Sequence, residues 1–152
     1  DDPWLLDPLG TEHKFGADDH NAHTQPDGRY HYHASPNALF VDTPTEGGSP
    51  VIGFAADGFP IYGSYFVDPE VGEVRVALSG YTLKEGERPS GDGDPGGTYS
   101  GIYNNDYEFT GTGDLDECNG MTIDGNYGYY VTNSYPWVMK CFTGTPDPSF
   151  AK

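Results

Sequence analysis

Four of the chain's five histidines, His20, His23, His31 and His33, fall in one short segment, HNAHTQPDGRYHYH. They form an H-x-x-H pair and an H-x-H pair joined by a turn sequence. Neutral imidazole is the commonest metal ligand, and two converging pairs can make a site without help from elsewhere in the chain. Four nitrogens suit Cu(II) in tetragonal geometry or Zn(II) in a closed tetrahedral site. Three leave a position for water or substrate, the arrangement of catalytic zinc.

A strand must position the second pair. If Tyr30–Ala34 is extended, His31 and His33 share a face, ~7 Å apart along the backbone. Tyr30 and Tyr32 then point to the other face, toward the core. His20 and His23 need a turn to converge with them. Asp27–Gly28 supplies that turn, and Pro26 pre-sets φ for it.

The chain also repeats itself. DDHNAHTQPDGRYHYH (18–33) aligns with DECNGMTIDGNYGYY (116–130), with one residue deleted. Asp18, Asn21, Thr24, Asp27, Gly28, Tyr30 and Tyr32 match Asp116, Asn119, Thr122, Asp124, Gly125, Tyr127 and Tyr129. These are the residues that a loop–turn–strand unit needs, with Asp-Gly making the turn. The histidines are what differ: His20, His23, His31 and His33 become Cys118, Met121, Gly128 and Tyr130. The local fold therefore does not require imidazoles. A third fragment, DGFPIY at Asp57–Tyr62, keeps the Asp-Gly start and the tyrosine five residues later.

Other candidates are weaker. His13, Asp18 and Asp19 lie close enough in sequence to be ligands or acceptors for an imidazole N–H. Asp57 and Tyr62 are the candidate catalytic residues of a metal-dependent enzyme. The carboxylates Asp106, Glu108, Asp114, Asp116 and Glu117 flank loops and could take calcium, but they lack the spacing of a twelve-residue calcium loop. There is no G-x-S-x-G, H-E-x-x-H, phosphate loop or C-x-x-C. The H-x-H suggests a cupin, yet no Glu follows His33 at the required distance.

Composition bounds the class. The 152 residues fit a single domain, with 1–19 as an irregular N-terminal segment. Twelve Tyr, eight Phe and two Trp make an aromatic core, while 22 Gly and 13 Pro argue for turns over long helices. A formal charge of −17 repels phosphate backbones and anionic membranes, so nucleic acid and membrane are not expected partners. No stretch reaches transmembrane length. The chain starts at Asp1 rather than Met and reads as a mature or trimmed form. Two cysteines, Cys118 and Cys141, suggest one disulfide and an oxidising compartment, secreted or periplasmic; two free thiols or a Cys in the metal site are the alternatives.

The expected fold is mainly β, with short strands, many Gly/Pro turns and little helix. Tyr30–Ala34, Val51–Ala55, Ile61–Val67, Val74–Leu78, Tyr99–Tyr103, Tyr127–Thr132 and Trp137–Phe142 are the candidate strands. Thr43–Pro50, Gly86–Gly97 and Thr110–Gly113 read as loops, and Leu115–Asn119 as a short helix or turn.

PDGRYHYH (26–33) resembles the eponymous motif of the YHYH domain family. The likeness extends through VIGFAADGFPIYGSY (51–65), GIYNNDYEF (101–109), LDECNGM (115–121) and YYVTNSYPWVMKCFTGTP (129–146). This resemblance implies a secreted, mostly bacterial protein with Tyr30, His31, Tyr32 and His33 as its signature, and it implies no activity. The residues themselves support three functional expectations. The first is a copper- or zinc-binding protein using His20, His23, His31 and His33. The second is a zinc hydrolase or copper oxidoreductase using the same cluster, assisted by Asp57 or Tyr62. The third is a calcium-dependent carbohydrate-binding or adhesive module using Tyr62, Tyr65, Tyr103 and Trp137.

Overall fold

The computed structural model describes residues 4–10, 16–36, 38–40, 44 and 46–150. His13 therefore lies outside the described residues. The fold is mainly β, built from several small sheets and no barrel. Its strands are β1 (Ala22–Thr24), β2 (Tyr30–Tyr32), β3 (Val51–Phe54), β4 (Pro60–Tyr62), β5 (Tyr65–Val67) and β6 (Val74–Val76). They continue with β7 (Tyr81–Leu83), β8 (Ser90–Gly91), β9 (Asp94–Pro95), β10 (Tyr107–Phe109), β11 (Gly120–Ile123) and β12 (Asn126–Tyr130). Among the described residues only two single-turn 3-10 segments, Asn104–Asp106 and Pro148–Phe150, interrupt the β structure.

The largest sheet runs β11-β12-β4-β3, with β12 and β4 parallel and the other pairs antiparallel. The described residues also form four two-stranded sheets: β1-β2, β5-β6, β7-β10 and β8-β9. The core gathers Phe66, Ala77, Leu115 and Tyr130, with Tyr62, Met121 and Ile123 packed against it. Aromatic contacts do much of the joining, as expected from the composition. Tyr62 stacks on Tyr130 at 5.1 Å, and Tyr107 on Tyr135 at 4.3 Å.

Both copies of the sequence repeat are hairpins of one design. In each, the first Asp accepts two backbone N–H groups through Oδ1: His20 and Ala22 at Asp18, Cys118 and Gly120 at Asp116. Its Oδ2 takes a tyrosine hydroxyl, from Tyr30 at 2.6 Å in one and from Tyr127 at 2.9 Å in the other. The Asn that follows sits in the left-handed region, φ 61° at Asn21 and 70° at Asn119, where Asn is tolerated far better than most side chains. Its carbonyl accepts the N–H of His33 or Tyr130.

The one-residue deletion changes only the turn. Asp124–Gly125, both at positive φ, make a two-residue connection between paired Ile123 and Asn126. Gln25–Gly28 instead make a turn closed by the Gly28 N–H on the Gln25 carbonyl, with Gly28 at φ 86°. The third fragment shares this longer turn: Gly58 bonds to Ala55, Ala55 to Phe59, and Gly58 has φ 85°.

Four expectations are corrected. Ile61–Val67 is broken into β4 and β5, because Gly63 and Ser64 turn away between the sheets. Tyr99–Tyr103 forms no regular strand, despite its β-branched and aromatic residues. The Asp106 carboxylate instead collects the N–H groups of Ser100, Gly101, Ile102 and Tyr103 and curls the chain around itself. Arg88 pairs with that buried carboxylate at 2.6 Å. Trp137–Phe142 is also irregular, since Trp137 has φ 70° and Cys141 is tied to Cys118. Finally, Tyr30 and Tyr32 do not reach the core. They are 49% and 36% exposed, because the β1-β2 hairpin has no third strand or covering sheet.

The disulfide is formed, Cys118 to Cys141, with Cα atoms 4.7 Å apart. Leu115–Asn119 is a turn, and Ser90–Gly97 contains the small β8-β9 hairpin. Among the described residues no helix is long and apolar enough to cross a membrane.

Candidate metal centre

β1 and β2 pair antiparallel with His23 directly opposite His31. Cross-strand partners share a face, and so do residues two apart, which brings His33 beside both. The three rings form a near-equilateral triangle. Centroids are 4.6 Å apart for His23–His31, 4.7 Å for His23–His33 and 4.6 Å for His31–His33, each pair edge to face. One nitrogen from each lies within 4.8 Å of the other two.

His23 Nε2 and His33 Nε2 stand 3.3 Å apart. Two nitrogens on a tetrahedral zinc, each about 2.0–2.1 Å from the ion, are also about 3.3 Å apart. All three side chains are partly buried. Burial, followed by the charges of His31 and His23, holds the His33 imidazole below its ordinary pKa and so favours the neutral form that ligates metal. Gln25 brings its amide nitrogen to 3.4 Å from His31 Nε2.

His20 is not part of this group. It is exposed in the turn before β1, where its backbone N–H donates to Asp18, and it occupies the position that carries Cys118 in the second hairpin. Asp18 itself is committed to the turn and to Tyr30. Asp57 accepts from the Tyr129 hydroxyl at 2.5 Å and from the N–H groups of Gly144 and Phe59, and so holds the third Asp-Gly turn. Tyr62 packs on Tyr130 and lines a separate cleft of about 330 Å³ with Tyr65 and Asp124.

The acidic loops do not gather. Asp114 pairs with Arg75, Asp106 with Arg88, and Asp116 closes the second hairpin. Among the described residues the three histidines are the one His/Cys/Asp/Glu group spaced to hold an ion. The aromatics considered for sugar stacking are likewise dispersed. Tyr103 packs edge to face on Trp4, and the Trp137 indole donates to Asp7.

Near the centre, Asp7 carried no signal in the sequence, and Trp137 was expected only as a strand residue and a sugar-stacking aromatic. Asp7 and Trp137 line a cleft of about 410 Å³ together with Tyr32, His33 and Lys140. They are separated by 130 positions, and no spacing in the sequence links the two.

No curated protein and no solved structure matches the chain. The family model described as YHYH protein matches residues 1–144, which takes in all three histidines, the disulfide and both hairpins. The chain belongs to the YHYH protein family.

Proposed function

We propose that this is a secreted metal-binding protein whose His23, His31 and His33 hold one copper or zinc ion. The observation that carries the reading is the triangle of partly buried imidazoles with one nitrogen each inside 4.8 Å. The ligand chemistry supports these metals, because imidazole suits both zinc and copper. The intact disulfide supports an oxidising compartment.

Titration of the purified chain with Zn²⁺ and Cu²⁺, followed by calorimetry, tests the reading. One equivalent binds, and His31→Ala weakens binding by more than the roughly 10–100-fold that loss of an outer-shell partner costs. Absence of stoichiometric binding to the wild-type chain overturns it.

A second reading, a metal-dependent hydrolase or oxidoreductase, is favoured by the three-ligand count and by the cleft that His33 lines. Three protein ligands and an open position are the pattern of catalytic zinc. Exchange of an added anion such as azide onto the Co²⁺-loaded protein, followed by visible absorption, separates this reading from a closed carrier site. An absorption spectrum unmoved by azide counts against catalysis.

A further inference from the structure

Asp7 is a carboxylate with only 1% of its surface exposed, yet no Lys or Arg among the described residues pairs with it. Its partners are neutral: the Trp137 indole N–H, 3.0 and 3.1 Å from the two oxygens, and the Leu9 backbone N–H at 3.0 Å. Lys140 lines the same cleft, but its ammonium stands over the Tyr135 ring at 5.3 Å. A buried charge without a counter-ion is costly, and such charges are ordinarily paired or set against a metal.

The Trp137 backbone adds a second observation. Its φ of 70° is a left-handed conformation that a bulky side chain rarely adopts, and such outliers cluster at functional sites. Here the unusual backbone delivers the indole to Asp7.

The cation-binding group nearest in function is His33, which lines the cleft with Asp7. Both face one cleft, so the charge of the buried Asp7 carboxylate reaches the imidazole across it. The same charge adds to burial in raising the Tyr135 phenol to about 12. Asp7 is outside the group whose nitrogens can meet on one ion, so it is not a fourth ligand.

We propose that Asp7, clamped by Trp137, is the buried counter-charge of the histidine centre, a positioning residue that acts through His33 and favours a divalent over a monovalent cation there. The inference rests on the metal-binding reading. A −1 charge attracts a 2+ ion about twice as strongly as a 1+ ion at the same distance. Loss of the charge must therefore weaken Zn²⁺ more than Cu⁺.

The test is titration of wild type and Asp7→Asn with Zn²⁺, and anaerobically with Cu⁺ in excess reductant. The expected result is a loss of roughly 10–100-fold for Zn²⁺ in the variant, the range for outer-shell partners, with a clearly smaller loss for Cu⁺. Equal losses for the two ions, or none, overturn the inference while leaving the centre itself standing. Failure of the wild-type chain to bind either ion defeats the metal reading instead.

Should Asp7→Asn not fold, the wild-type protein still decides. The chain has two tryptophans, so Trp4→Phe assigns the Trp137 indole N–H resonance. Its movement on Zn²⁺ binding supports the inference, and an unmoved resonance overturns it.

Discussion

The two Asp-Gly hairpins share a backbone design and differ in what lies beside them. β12 is an interior strand, flanked by β11 and β4, and its face is covered by Tyr62. β2 pairs with β1 alone. That single difference accounts for the side chains. At Gly128 an added Cβ would meet the Tyr62 ring at 2.5 Å and the Pro60 carbonyl oxygen at 3.2 Å, so the position tolerates nothing larger. At the equivalent position of the open hairpin there is room for His31. Tyr130 is buried and 6% exposed, whereas its counterpart His33 opens onto a cleft. A structural unit used once for packing is thus free, in its uncovered copy, to carry polar side chains.

The disulfide should mark the asymmetry most strongly. Replacing Cys118 and Cys141 by Ser is expected to cost about 3 kcal/mol for a loop of this size. Thermal melting should show a fall of about 10 °C. Replacing the corresponding His20 by Ala should leave the melting temperature unchanged. A large effect at His20 would break the comparison.

Gly128→Ala comes next. Forcing a methyl against Tyr62 and Pro60 is overpacking, worth about 2 kcal/mol in urea denaturation. His31→Gly on the uncovered hairpin should cost only about 0.5–1 kcal/mol, the usual weakening from a glycine within an element.

Alkaline titration sharpens the contrast at the next position. Burial, reinforced by Tyr62, raises the Tyr130 phenol from 10.0 to about 12. Its contribution to stability is full below the unfolded value of 10.0 and is lost as pH rises through about 12. Melting temperature measured against pH should therefore fall across that window, and Tyr130→Phe should flatten the fall. A curve unchanged by Tyr130→Phe would mean that the phenol is not the group responsible.

The smallest effect is expected at Asp18. The Tyr30 hydroxyl holds its carboxyl below the usual range, aided by the His20 N–H. This clasp is present above the ordinary carboxylate value of 3.8 and is lost as pH falls below it. Asp18→Asn should loosen the first hairpin, read as faster amide exchange at His33, with the second hairpin unaffected.

Much of this was legible in the chain. The repeat identified both hairpins, because Asp, Asn and Asp-Gly fix backbone geometry locally, through short bonds and positive φ. Three of the four clustered histidines meet, since alternation on β2 and register with β1 put them on one face. His20 does not join them, because Asp18 binds its backbone in the turn. The short β1 was missed as a strand, since AHT carries little β propensity and is ordered by its partner. Tyr99–Tyr103 and Trp137–Phe142 misled for the opposite reason: strand-like residues were captured by the Asp106 carboxylate and by the cystine. Asp7 was invisible because its importance arises from contact with a residue at the far end of the sequence.

All three imidazoles come from a single hairpin, with only its turn between the first and the second. Ring closure over so few residues carries little entropy cost compared with sites assembled from distant segments. On the proposed metal-binding reading, this hairpin alone would suffice to hold an ion, before the larger sheet has found its partners.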